Sequence, residues 1–282
     1  MDTLSKQGGV GATVWDAGIV LAKYLERVIS TLGTPVATAT ETPGAKIELA
    51  PGLTAQSGQP LRILELGAGT GIVSLALARL LQDRKSAHPS PIGLGGVVNV
   101  VMTDKANVLP ILQKNIDSNH QHDSKISDVH VEAFILDWEH YSGVRALETA
   151  PSEEGTCGSS DGVKSSEAAT TETTASPKHD FVEQGHLDRI HWDLIIVSDC
   201  IWITDLHAPL NATLAKLVPK EASQTMKKTK IVTAFERRDF AKEMEFFAQL
   251  SKEFRFRDVK PEEMDPNWQS EDIYIFIAER RD

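Results

Sequence analysis

The sequence predicts an α/β protein built on a seven-stranded, mostly parallel sheet with helices on both faces. Three observations predict it. Seven short apolar runs of strand length alternate, over most of the chain, with helical patterns, as in strands joined by crossover helices. The run Asp193–Ser198 (DLIIVS) is continuously apolar, as a strand buried on both faces requires. The first strand is followed by a turn with glycines at 67, 69 and 71, so that backbone there lies open to a small molecule.

The elements follow in order. Val14–Leu32 reads as a helix because Leu21, Leu25, Val28 and Leu32 recur at threes and fours, with Lys23, Glu26 and Arg27 between them. Gly33, Thr34 and Pro35 stop it, and the Thr-, Pro- and Gly-rich stretch 34–60 reads as a loop. Leu61–Leu66 is a strand and Gly71–Leu81 a helix, followed by a Pro- and Gly-rich loop to Gly96. Val97–Thr103, Val108–Ser118 and Val129–Leu136 are strand, helix and strand. Beyond Asp193–Ser198 come a helix at Leu206–Leu217, a strand at Lys230–Phe235 and a helix at Asp239–Lys252. Phe254–Val259 and Asp272–Ala278 are the final strands. Residues 149–188 break the pattern. Their Ser-, Thr-, Gly- and Glu-rich core, Thr149–Lys178, holds almost no large apolar residue and is expected to be a disordered insertion. The pieces on either side are each too short to close a sheet, so one domain spanning 1–282 is expected, with a leading helical segment at 14–33.

The composition is that of a folded protein, 41% hydrophobic and 24% charged. The first residues lack the basic start and apolar run of a secretory signal, and no stretch is apolar enough for a membrane span. The two cysteines, Cys157 and Cys200, are far apart, which excludes a disulfide framework and a paired-cysteine zinc site. The net charge of −11 argues against tracking a phosphate backbone and suits a basic protein segment. A soluble intracellular protein is expected, cytoplasmic with the nucleus also open, monomeric, and without nucleic-acid or membrane partners or a metal. The His-x-His of NHQHD (119–123) reads as solvated surface, and Cys200 as a small buried filler.

The glycine spacing decides the ligand only in part. A dinucleotide site wants G-x-G-x-x-G, and Ile72 stands where the third glycine belongs. No Gly-Lys-Ser/Thr follows, which excludes a P-loop. Asp104 ends the second strand, where a carboxylate takes the ribose hydroxyls of an adenosine; an NAD enzyme places an acid there too. Asp137-Trp138 follows the third strand, suiting an indole stacked on adenine and a carboxylate on its amino group. NAD and S-adenosylmethionine both remain open on these residues alone.

A wider pattern separates them. VWDAGIVLAKYLE (14–26), ELGAGTG, LDW, SDCIW (198–202), FERRD (235–239) and SEDIYIF (270–276) occur in this order. Together they resemble the family 16 seven-strand protein-lysine methyltransferases, especially the branch acting on valosin-containing protein and on fungal elongation factors. The resemblance implies the methyltransferase form of the Rossmann-like fold, with the last strand antiparallel, and S-adenosylmethionine as cofactor. It implies that Trp15 packs over the cofactor, that Gly67, Gly69 and Gly71 pass its methionine end beside Glu65, and that Asp104 and Trp138 take the ribose and adenine. The family's Asp-x-x-Tyr activity motif falls on Asp199-Cys200-Ile201-Trp202, directly after Ser198, and Trp202 replaces the usual tyrosine. Glu236 and Arg237 match a signature expected to be structural. The implied substrate is a protein lysine, of elongation factor 1A first and an AAA-type ATPase second. Asp199 is expected to bind the incoming ammonium and orient the amine, with Trp202 as a channel wall. A cofactor binder that has lost catalysis is the competing reading, and Trp202 is its best argument.

Overall fold

The structure is a computed structural model that describes residues 9–31, 49, 53, 59–87, 96–119, 128–145, 186–220 and 227–282. Most of the expected insertion, most of the 34–60 loop and residues 120–123 lie outside the described residues.

Seven strands make one sheet: β1 (Leu61–Leu66), β2 (Val98–Asp104), β3 (Val129–Ile135), β4 (Leu194–Ser198), β5 (Lys230–Glu236), β6 (Phe254–Asp258) and β7 (Ile273–Arg280). Their order is β3-β2-β1-β4-β5-β7-β6. Strands β1 to β5 pair in parallel, and β7 lies antiparallel between β5 and β6. The helices are α1 (Asp16–Thr31), α2 (Ile72–Ala87), α3 (Leu109–Asn119), α4 (Trp138–Ser142), α5 (His207–Leu217) and α6 (Phe240–Leu250).

The alternation of the strands sorts the core into two layers. Ile63, Val100, Ile196 and Val232 face Leu21 and Leu25 of α1, Leu77 and Leu81 of α2, and Leu112 of α3. Leu64, Val101, Ile195 and Ile231 face the other way, onto Leu210 and Leu214 of α5 and Phe246 and Leu250 of α6. Each fully buried Leu, Ile or Phe contributes roughly 1.5–3 kcal/mol, so both layers are needed to hold the sheet.

Two local outcomes differ from the expectation. Helix α2 continues to Ala87, through the polar stretch that follows Leu81. An Arg79–Asp83 pair supports the extension, and Arg84 and Lys85 stand in its last turn, where the helix dipole favours cations. The second difference is α4. Asp137 is its N-cap, with Oδ1 accepting from the backbone N–H of Glu139 and His140, and Gly143 closes it in the left-handed conformation.

The topology places the ligand crevice. The chain leaves β1 outward through β2 and β3, then returns to add β4 on the other side of β1. Loops diverge where the strand order reverses, opening a cleft beyond the carboxyl ends of β1 and β4.

Candidate active site

The glycine turn forms the floor. Gly67, Gly69 and Gly71 all have positive φ, between 56° and 79°. Around the floor stand Glu65 at the end of β1, Asp104 at the end of β2, Trp138 after β3, and Ser198, Asp199, Cys200 and Trp202 after β4. The leading segment closes the top with Val10, Gly11, Thr13 and Trp15. Gly11 lies against the turn, its carbonyl oxygen 3.1 Å from where a Cβ on Gly69 would stand. The cleft measures about 300 Å³.

The acids are arranged by backbone donors. Glu65 is buried, and one carboxylate oxygen accepts from Ser74 N–H in the first turn of α2 at 3.2 Å. Burial outweighs that bond and pushes its carboxyl up to about 7. Asp104 accepts from Gly69 N–H at 2.8 Å on one oxygen and from Lys105 N–H at 2.7 Å on the other. It thereby holds the glycine turn against β2, and burial raises its carboxyl as well. Cys200 is buried beside these acids, and its thiol is pushed well above the ordinary range. Such a thiol is inert, in keeping with a filler.

The β4 loop is the most constrained part. Asp199 is the one non-glycine residue with positive φ, 52°, among the described residues. Its carboxylate accepts from Glu236 N–H at 3.2 Å and from both terminal nitrogens of Arg238, at 2.9 and 2.8 Å. His207 Nε2 lies 2.6 Å from the Ile201 carbonyl, so α5 ties the far side of the same loop. Trp202 stands at the mouth, 39% exposed, with its ring 6.4 Å from that of Trp15.

Most of the residues singled out in the sequence meet here: Trp15, Glu65, Gly67, Gly69, Asp104, Trp138, Ser198, Asp199 and Trp202 line one cleft. Three expectations are corrected. Asp137 does not line the cleft; its carboxylate caps α4 and lies 3.6 Å from Lys105 Nζ. Gly71 does not line it either. A Cβ there would stand 2.6 Å from Leu112 and 3.1 Å from Met102, so its role is to let the turn pack against α3 and β2. Asp199 does not present a free carboxylate, because its side chain is 1% exposed and spent on Arg238 and Glu236 N–H. Sequence reading missed Arg238 and the Val10–Gly11 cover. The doubled arginine of FERRD was the available signal for the first; nothing in GVGA marks the second.

Among the described residues no cluster of three or more His, Cys, Asp or Glu could hold a metal ion, and no helix is long and apolar enough to cross a membrane.

The sheet order, the antiparallel seventh strand and a glycine turn flanked by strand-end carboxylates are those of a methyltransferase that uses S-adenosylmethionine. A family model described as lysine methyltransferase matches residues 3–149 and 176–253, more than half of the chain. The chain belongs to that lysine methyltransferase family. Solved structures similar to it include the CurJ carbon methyltransferase, at 12% identity, covering 81% of this chain and 50% of that one, with a TM-score of 0.40. The DszA carbon methyltransferase matches at 13% identity, 80% and 48% coverage and a TM-score of 0.37. An O-methyltransferase family 2 protein from Planctomyces limnophilus, complexed with apigenin, matches at 12% identity, 82% and 57% coverage and a TM-score of 0.35. The chain spans about half the length of these structures.

Proposed function

We propose that the protein is a protein-lysine N-methyltransferase acting in the cytoplasm, with elongation factor 1A as the leading candidate substrate and an AAA-type ATPase as the alternative. The observation that carries the reading is the aromatic mouth, where Trp15 and Trp202 flank an opening onto the loop of the family's activity motif. The two indole rings pack on each other and present an aromatic edge to the opening, a surface that suits a slender aliphatic chain with a cationic tip running along it.

The cleft fits S-adenosylmethionine on its own chemistry. Trp138 Nε1 is a buried donor with no protein partner, on a ring that lines the cleft. Trp138 and Asp104 would hold the adenosyl group, and Gly67, Gly69 and Glu65 the methionine end. When bound, the cofactor supplies an electrophilic methyl carbon on a sulfonium. The acceptor must reach that carbon as a neutral amine, in line and about 3–3.5 Å away. A lysine of ordinary pKa ~10.4 must therefore lose a proton, which burial and a nearby cation both promote.

Two consequences are measurable. Asp104→Ala should weaken S-adenosylmethionine by about 2 kcal/mol, the scale of charge-assisted hydrogen bonds; wild-type affinity in a folded variant would remove the ribose assignment. Glu65 supplies a pH dependence. Its carboxyl, pushed up to about 7, is largely protonated below that pH in the free protein, whereas a cationic ligand favours the carboxylate. Affinity for S-adenosylmethionine should rise as pH increases from 6 to 8, and Glu65→Gln should flatten the curve in calorimetric titrations. A wild-type slope retained in Glu65→Gln would place the titrating group elsewhere.

The function itself is tested with methyl-labelled S-adenosylmethionine and a lysate from cells lacking the endogenous enzyme. Label on lysine in one or a few proteins is expected, elongation factor 1A foremost. Label only on small molecules, or on arginine or carboxyl side chains, would overturn the lysine reading. No transfer at all, with tight cofactor binding, would favour the binding protein that the paired Asp199 and the Trp202 replacement also suit.

A further inference from the structure

The charge in the wall of the acceptor pocket rests on one residue. Arg238 follows β5 and reaches back to Asp199 with a two-pronged contact at 2.9 and 2.8 Å. The same guanidinium contacts Glu236 at 2.7 Å, and its carbon lies 5.4 Å from the Trp15 ring. Its backbone N–H donates to Glu243 of α6 at 2.6 Å. The groups around Asp199 are thus Glu236 at the end of β5, Arg238 from the loop after it, Glu243 from α6, the uncharged Trp15 ring from the segment before α1, and Cys200 beside it, with Glu65 and Asp104 beyond on β1 and β2. Within that set Arg238 is the cation, and the Asp199 side chain it neutralises is 1% exposed.

We propose that Arg238 is a positioning residue that governs proton loss from the target lysine by neutralising Asp199. The inference rests on the lysine reading above. A bare carboxylate in this wall would hold an arriving lysine as ammonium and raise its pKa, whereas methyl transfer needs the free amine. With Arg238 in place the charge of Asp199 is largely offset, the guanidinium being shared with the more exposed Glu236, and the lysine sheds its first proton to water. The amine nitrogen then forms the new N–C bond as the C–S bond breaks, its electron pair returning to sulfur. The product leaves as a protonated methylamine whose further proton also passes to water. Arg238 also sets the place of Asp199, because its planar fork fixes both carboxylate oxygens at once.

The test needs no acceptor protein. Sinefungin carries an aliphatic ammonium where the methyl sulfonium stands, and S-adenosylhomocysteine carries a neutral thioether there. Their dissociation constants are measured by calorimetry at pH 8 on the full chain. Arg238→Gln should keep S-adenosylhomocysteine within a few-fold of wild type and shift the preference toward sinefungin by about tenfold or more, through the exposed charge of Asp199. Arg238→Lys should restore most of the wild-type preference. The double variant Asp199→Asn/Arg238→Gln, neutral at both positions, should also return it. A merely structural arginine would weaken both ligands alike, and an unchanged preference in a folded Arg238→Gln protein would overturn the proposal. So would failure of both Arg238→Gln and the double variant to fold, since the pair would then serve the scaffold. For any lysine substrate found in the lysate, Arg238→Gln should move the rising limb of the pH–rate profile to higher pH. Failure of lysine labelling by the wild-type protein removes the lysine reading, whereas an unchanged ligand preference removes only the role of Arg238.

Discussion

Gly67→Ala should cost roughly 2–5 kcal/mol of stability and lower S-adenosylmethionine affinity by about tenfold or more. Two separate penalties add. Gly67 sits at φ 66°, and a side chain in the left-handed region costs about 1–2 kcal/mol. The new Cβ would also stand 2.6 Å from Cys200 Sγ and 3.1 Å from the Trp138 ring. Neither neighbour gives way freely, since Cys200 is buried against the Ser198 carbonyl and Trp138 is buried in the layer under α5. Overpacking of this kind costs about 1–3 kcal/mol. The affinity loss follows because the displaced atoms are the cleft floor and the Trp138 ring that lines it. Urea denaturation and calorimetry measure both quantities. Adding Cys200→Ala should recover the steric part of the loss and leave the backbone part, a coupling that contacting residues show and distant ones do not. A loss below about 0.5 kcal/mol, the range of an ordinary surface change, would mean that the turn has slack.

The parts of this molecule differ in how legible they were. The strands were readable because burial on two faces demands continuous apolar runs, so Leu61–Leu66 and Leu194–Ser198 fall where expected. The end of α2 was not, because Gln82–Ala87 buries no side chain and carries no hydrophobic period; charge pairs and the helix dipole sustain it. Asp137 was misread for a reason of the same kind. A carboxylate at a strand end serves a ligand or the next helix equally well in sequence, and the backbone donors of Glu139 and His140 decide the matter. Cleft residues carried by strand ends were legible, since the sheet order alone brings Glu65, Asp104 and Ser198 together. Arg238 was not, because FERRD marks an arginine there without its partner, and its meaning lies in a contact across 39 positions. The cover at Gly11 is likewise a tertiary fact, made by a four-residue 3-10 turn without buried side chains.

Asp199→Asn should lower single-turnover methyl transfer by about a hundredfold or more while S-adenosylhomocysteine binds within a few-fold of wild type. The backbone tolerates the change, because asparagine enters the left-handed region almost as readily as aspartate and keeps one acceptor oxygen. What is lost is the charge. Removing one partner of a buried ion pair costs about 3–5 kcal/mol, reduced here because Arg238 is 32% exposed and retains Glu236. Part of that cost will appear as a lower melting temperature. The rest acts on the Ser198–Trp202 loop, whose position sets the approach of the amine, and a displacement of about 1 Å there is worth roughly a hundredfold in rate. The guanidinium, left with Glu236 alone, adds a second effect, since its added positive charge in the pocket wall opposes the sulfonium. Adding Arg238→Gln removes that cation and should return part of the lost rate, so the two changes together should cost less than their sum. A variant that only lost a cap would behave differently, because asparagine caps about as well as aspartate. Full single-turnover activity in a stably folded, cofactor-saturated Asp199→Asn protein would show that neither the charge nor the pair takes part in transfer.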